Sequence, residues 1–302
     1  MTAVPLDRRA LGLALTQLTN ASASDLARRP VREPPARHAR RVGITGAPGA
    51  GKSTLLGHLA LLRAAHGRLG VLAVDPSSPK SGGAILGDRV RMDELPGAAD
   101  LYIRSLGSRK TSDGLADNLP EMLDAMDDFD FAEVLLETVG VGQTEYAARV
   151  QVDTLVLVLL PESGDTVQAM KAGIMEMADI FVVNKADLPG AQRMATDIKR
   201  IAAISRQAPG AWMPPVLLAS ALQPDSIVSL SQSIDRHQEW LATSDTHRDL
   251  KDQRARYRLR RLLELRAADV IAQQDAAFFA LPLAQQLERA LQLLCQGKGE
   301  EG

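Results

Sequence analysis

Apolar residues fall into short runs at 42–45, 69–75, 131–137, 154–160, 180–184 and 215–219. Stretches with helical spacing separate them, the first from Lys52 to His66. Short apolar runs alternating with helices predict a mostly parallel sheet with helices on both faces. Near the N-terminus, Leu11, Ala14, Leu15 and Leu18 recur at helical spacing, which predicts a docked helix. The Pro-rich stretch 29–35 reads as an extended linker. Past Leu222 the strand pattern fades and helices are expected at about 226–243, 247–274 and 282–295, before a polar tail. The chain is thus expected to divide at 1–40 (helix and linker), 41–224 (α/β domain) and 225–302 (helical region). No internal repeat is present.

Composition narrows the function classes. With 35 basic and 37 acidic residues and 3% aromatics, neither a general nucleic-acid binder nor a base-stacking platform is expected. No apolar run is long enough to span a bilayer. The single Cys295 rules out an internal disulfide framework and favours a reducing compartment, so a cytoplasmic location is expected. Residues 1–41 hold eight Arg against Asp7, Asp25 and Glu33. Such a leader is also compatible with an organellar transit peptide, hence with a mitochondrial matrix location; the leucine stripe favours the helix.

Gly46-Ala47-Pro48-Gly49-Ala50-Gly51-Lys52-Ser53, followed by Thr54, matches the phosphate-loop pattern between a predicted strand and helix. Its glycines let backbone N–H groups curl around a phosphate, and the helix N-terminus adds positive potential. Lys52 would reach the β and γ phosphates and the Ser53 hydroxyl would ligate Mg²⁺. Ala47 stands where the partitioning-type ATPases carry an extra lysine, which disfavours that subgroup.

Asn184-Lys185-Ala186-Asp187 follows directly on an apolar run. The Asp187 carboxylate can accept from both N1–H and the exocyclic amine of guanine; adenine lacks that donor pair. Asn184 and Lys185 would brace loop and base. Ser220-Ala221, after the last strand, stands where a backbone N–H would meet guanine O6. GTP or GDP is therefore the expected nucleotide.

Three acids are candidates for the Mg²⁺ site. Glu137 ends the run 131–137 and precedes Gly140, where an Asp-x-x-Gly motif is usual; Gly140 would let the backbone approach a γ-phosphate. Asp75 ends a predicted strand, and Asp88 lies in Leu86-Gly87-Asp88-Arg89. Gln143 is a candidate for positioning water, with closure of the switch as the equal alternative.

Together with Ala73-Val74-Asp75-Pro76-Ser77-Ser78, Ile85-Leu86-Gly87-Asp88 and Glu137-Thr138-Val139-Gly140-Val141-Gly142-Gln143, these motifs resemble the MeaB/ArgK family over roughly residues 5–295. The resemblance implies a P-loop GTPase domain with an N-terminal helix and a helical C-terminal dimerisation arm. It implies a homodimeric chaperone of an adenosylcobalamin-dependent acyl-CoA mutase that uses GTP hydrolysis to gate cofactor loading. It further implies Mg²⁺ held among Asp75, Asp88 and Glu137, and a mobile loop at 161–171 that communicates with the mutase. The chain departs from the family at 104–115, where a Pro- and Gly-richer loop is usual, and at Pro161-Glu162 in place of Pro-Gly.

Metallocentre maturation of the hydrogenase or urease type is the competing reading and shares the nucleotide chemistry. It needs Cys or His ligands, whereas Cys295, His38, His58, His66, His237 and His247 are scattered. A non-catalytic GTP-dependent scaffold and a small-molecule kinase are the remaining classes. Lys52, Ser53 and Glu137 argue against the first and the guanine motif against the second.

Overall fold

The computed structural model describes residues 5–30, 37–76, 100–108, 115–116, 118–138, 143–161, 173–205, 210–220 and 223–296. The chain resolves into two compact units, residues 1–19 with 35–250 and residues 20–34 with 251–302.

The first unit opens with α1 (Arg8–Asn20), followed by β1 (Arg40–Thr45), α3 (Lys52–Ala64), β2 (Leu69–Pro76) and β3 (Leu101–Ser108); α2 (Ala23–Ala27) belongs to the second unit. Next come α4 (Leu119–Asp128), β4 (Glu133–Glu137), α5 (Gln143–Gln151), β5 (Thr154–Leu159), α6 (Ile174–Met177) and β6 (Ile180–Val183). α7 (Ala191–Ser205), β7 (Val216–Leu218) and α8 (Pro224–Thr243) complete it. The described strands form one seven-stranded sheet in the order β3-β2-β4-β1-β5-β6-β7, every pair parallel. Helices cover both faces, so β5 and β6 are buried along their whole length and are apolar apart from Thr154. Leu55, Leu56 and Leu59 of α3 share one core cluster with Ile227, Leu230 and Ile234 of α8.

Two elements depart from the sequence reading. Residues 101–108 form the edge strand β3, so the stretch 104–115 begins as sheet. Arg104, Ser105 and Gly107 interrupt its apolar run and hide its period; its outer edge is free of any partner strand among the described residues. Arg104 donates to the Gly12 carbonyl (3.2 Å) and to Thr16 Oγ1 (3.0 Å), and Arg8 to the Leu101 carbonyl (2.7 Å). These bonds tie α1 to β3. Leu11, Leu15 and Leu18 are buried, each contributing about 1.5–3 kcal/mol of apolar transfer. The second departure is α8, grouped by sequence with the C-terminal region. Its apolar face joins the sheet core, and the first unit extends to Leu250.

The second unit holds α2 (Ala23–Ala27), most of α9 (Thr246–Ala272), α10 (Ala276–Phe279) and α11 (Leu283–Gln296). Ser22 and Asp25 form a reciprocal capping box on α2, and Arg266 donates to Ser24 Oγ at 2.6 Å. No helix among the described residues is long and apolar enough to cross a membrane.

Candidate functional site

Parallel pairing brings the C-terminal ends of β1, β2, β4, β5 and β6 to one edge, where the motif residues gather. Between β1 and α3 the chain turns through Gly46 (φ +145°), Gly49 (+80°) and Gly51 (+82°). At Gly46 a Cβ would collide with the Val158 carbonyl of β5, and at Gly51 it would stand 2.5 Å from Asn184 Nδ2. Both close approaches require glycine. Lys52 is buried at the start of α3, and its Nζ donates to the Gly46 and Ala47 carbonyls at 2.8 and 3.0 Å. Ala47 is half-buried and Ala50 buried, whereas Pro48, Gly49 and Thr54 are exposed.

Ser53 Oγ donates to Glu137 Oε1 at 2.7 Å. The β1–β4 register sets this contact by pairing Ile44 with Glu137. The next residue locks it: the Thr138 N–H donates to the Ile44 carbonyl (3.1 Å) and Thr138 Oγ1 to Thr45 Oγ1 (2.9 Å). Asp75 stands near the end of β2, two residues beyond Ala73, which pairs with Glu137. The side chains of Asp75 and Gln143, the latter opening α5, lie outside what is described, as do residues Asp88, Gly140 and Ala221 and the loop 162–172.

Asn184 caps β6. Its N–H donates to the Leu159 carbonyl (2.9 Å) and its Nδ2 to the Ala50 carbonyl (2.8 Å), so one buried amide joins the guanine motif to the phosphate loop. Lys185 takes a left-handed backbone (φ +53°), a strained conformation for this residue type, and its Nζ reaches the Gly49 carbonyl at 3.4 Å. Asp187 is exposed, and Ser220 Oγ donates to its Oδ1 at 2.8 Å. That hydroxyl, then Asp187's own backbone N–H and the Lys185 charge, hold the carboxyl below its ordinary value.

Sequence reasoning did not reach two supports of the site. Thr45 and Thr138 join the ends of β1 and β4. Ser226, in the first turn of α8, accepts from the Ser220 N–H and donates to the Gln223 carbonyl (3.3 and 2.6 Å), holding the Ser220 loop. A serine after Pro224-Asp225 reads simply as a helix start, so no sequence signal marks the contact.

A parallel sheet whose first strand runs through a glycine turn into a helix, with an Asn-Lys-x-Asp loop after β6, defines a P-loop GTPase. The chain belongs to the MeaB family: the family model described as methylmalonyl Co-A mutase-associated GTPase MeaB matches residues 9–277.

Among relatives, a Pyrococcus abyssi protein described as a GTPase is 41% identical over 245 residues, covering 79% of this chain and 74% of that protein. The GTPase ArgK of Escherichia coli is 35% identical over 228 residues, covering 74% and 69%. The mouse methylmalonic aciduria type A homolog, a mitochondrial protein, is 38% identical over 208 residues, covering 68% of this chain and 50% of that one. Among solved structures, an LAO/AO transport system kinase superposes with a TM-score of 0.61 at 22% identity, covering 97% of this chain and all of the other. Likeness at that identity speaks for the fold alone.

Proposed function

We propose that this GTPase is a nucleotide-gated chaperone of an adenosylcobalamin-dependent acyl-CoA mutase, controlling cofactor loading and protecting or restoring the mutase. The family's description as mutase-associated carries this reading. The name of the mouse relative, after a methylmalonic aciduria, supports it.

In this reading the glycine turn wraps the β-phosphate with backbone N–H groups, and Lys52 exchanges its two carbonyl partners for phosphate oxygens. Ser53 and Glu137 present a hydroxyl and a carboxylate side by side, hard oxygen donors of the kind Mg²⁺ takes, so these residues fit that ion. Asp75 and Asp88 are assigned to the same ion. When bound, it neutralises charge on the β and γ phosphates. Asp187, whose carboxylate is oriented by the Ser220 hydroxyl, reads the two guanine donors. Asn184 and Lys185 carry the base loop on the phosphate loop, and Gly140 and Ala221 are assigned to the γ-phosphate and the base. Gln143 is assigned to water positioning.

The chain works as a homodimer. Leu283, Leu287 and Leu291 follow one another at four-residue spacing on α11 and are 79%, 60% and 53% exposed, a stripe that a second copy would cover. The C-terminal region beyond Leu250 is assigned as the dimerisation arm. A cytoplasmic location is supported by the bacterial and archaeal relatives.

The test is GTP turnover with and without purified mutase, with complex formation followed by native mass measurement in GDP and in a non-hydrolysable GTP analogue. A cognate mutase binds and raises turnover; Lys171→Ala lowers that stimulation and leaves intrinsic turnover intact. Absence of both binding and stimulation across acyl-CoA mutases would overturn the reading.

A further inference from the structure

In the first turn of α8 a buried hydroxyl outside the nucleotide motifs reaches back to one of them. The helix opens with Pro224 and Asp225, and Gln223 before it makes no side-chain capping bond among the described residues. Ser226 follows, and its hydroxyl turns away from the helix. It donates to the Gln223 carbonyl at 2.6 Å, three residues back, a bond to the preceding turn that helical serines often make. Its oxygen also accepts the Ser220 N–H at 3.3 Å, a bond that serves the loop and not the helix.

Ser220 therefore has its place set from α8. The Gln223 N–H donates to the Ser220 carbonyl at 2.9 Å, and the Ser226 hydroxyl lies 3.3 Å from the same oxygen. The preceding residue is held from the other side. Ala219 donates to the Val183 carbonyl and accepts from the Ala186 N–H, both at 2.9 Å. Ala219 thus follows β6 and the base loop, while Ser220 follows the start of α8.

The placement of Ser220 bears on the base. Asp187 is exposed, so the orientation of its carboxylate depends on the few groups that bond it. These include its own backbone N–H and the Ser220 hydroxyl, which donates to Oδ1 at 2.8 Å. The N1–H and the exocyclic amine of guanine point outward in the plane of one ring. A carboxylate turned out of that plane makes poorly aligned hydrogen bonds with one or both. A shift of Ser220 would accordingly weaken base reading and leave phosphate binding alone.

We infer that, given the assignment of Asp187 to guanine on which this rests, Ser226 is a positioning residue for base selectivity. It acts through Ser220, orienting the Asp187 carboxylate to meet both guanine donors. A serine that only stabilised the start of α8 would change the stability of the fold and not the choice of base.

The experiment uses the full chain and competition against a fluorescent GDP analogue. The competitors are GDP, inosine diphosphate, which lacks the exocyclic amine, and pyrophosphate, which lacks the base. The unmodified protein should prefer GDP to inosine diphosphate about tenfold or more, the worth of one hydrogen bond to a charged group. Ser226→Ala should narrow that ratio about three- to fivefold, with pyrophosphate affinity unchanged within about twofold. Ser226→Thr, which keeps the hydroxyl, should retain the ratio. Ser220→Ala should narrow it at least as far as Ser226→Ala, and adding Ser226→Ala to Ser220→Ala should narrow it no more, because one residue acts through the other. Equal binding of GDP and inosine diphosphate by the unmodified protein would remove the assignment of Asp187, and this role of Ser226 with it. Where that preference is present, a folded Ser226→Ala with the full ratio would overturn the inference alone. So would a loss of pyrophosphate affinity in step with GDP, a narrowed ratio in Ser226→Thr, or a further narrowing in the double variant. Should the alanine variant not fold, Ser226→Cys, whose thiol is a weak donor and acceptor, takes its place with the same outcomes.

Discussion

Replacing Asn184 with alanine cuts the one side-chain amide that spans from the guanine motif to the phosphate loop. The amide is 6% exposed and its Nδ2 lies 2.8 Å from the Ala50 carbonyl. A buried hydrogen bond of this kind is worth about 1 kcal/mol net, and leaving a buried acceptor without its donor adds about 1 kcal/mol or more. A loss of about 2 kcal/mol corresponds to about 30-fold in affinity. Because the contact is made to the phosphate loop, the loss should extend beyond the base. Affinity for pyrophosphate, which has no base, should fall together with affinity for GDP and GTP, as read by competition against a fluorescent GDP analogue. Asn184→Asp sharpens the test: it keeps the volume but sets a carboxylate oxygen against the Ala50 carbonyl, so it should bind more weakly than the alanine variant. An alanine variant within threefold of the unmodified protein would refute the bracing role, as would an aspartate variant of normal affinity.

Further predictions concern the nucleotide contacts and the buried charges. Asp187→Asn should lose GDP and GTP affinity about a hundredfold and gain tolerance for xanthine nucleotides, because its amide offers a donor where guanine also donates; equal binding of ATP and GTP by the unmodified protein would remove the basis for this. Glu137→Ala should weaken the Mg²⁺ dependence of nucleotide affinity and slow turnover, and Lys52→Ala should abolish turnover, both read by phosphate release. Asp179 is fully buried; burial opposes its charge, but His237, Arg149 and the Leu155 N–H overcome this and hold its carboxyl below the ordinary value. A depressed carboxylate stabilises the fold above the unfolded value of about 3.9, and that contribution is lost as pH falls through the folded value. The stability gap between the unmodified protein and Asp179→Asn, from urea unfolding, should therefore be constant above about pH 5 and narrow below about pH 4.

Local chemistry made most of the nucleotide site legible. Gly46 to Ser53, and Asn184 to Asp187, are contiguous strings whose function depends on backbone shape and a few neighbouring side chains, so spacing alone pointed to phosphate and guanine. The apolar run 154–160 fell on β5 because a strand buried on both faces is mostly apolar, without the alternation of a half-exposed one. β3 escaped notice for the opposite reason. It is an edge strand whose Arg104 is spent on α1, a partner 92 residues distant from it in sequence. Ser226, Thr45 and Thr138 were invisible for the same cause: each acts through one hydroxyl on a group that only the folded register brings near. The α8 boundary was misjudged because an amphipathic helix reads alike whether its stripe faces a sheet or another helix.

The two helices that flank this site explain why buried charge persists at the far edge of the sheet. α3 begins at Lys52 and α8 has Ser226 in its first turn, so their N-termini carry the phosphate loop and brace the Ser220 loop. Toward the opposite edge the two helices meet through Arg63, which bonds to Ser231 and Asp235 of α8 and to Glu133 of β4. Burial alone would push the Arg63 guanidinium down; the carboxylates of Glu133 and Asp235 more than reverse this and raise it. Apolar contacts between α3 and α8, such as those in the cluster of Leu59 and Ile234, are non-directional and would tolerate a slide of one helix along the other. Five directed bonds from one guanidinium do not tolerate it. A buried ion pair is a poor source of net stability, because desolvation offsets most of its attraction. Its physical value here is positional: it fixes the axial register of the helices whose N-termini support the phosphate loop and the Ser220–Asp187 contact.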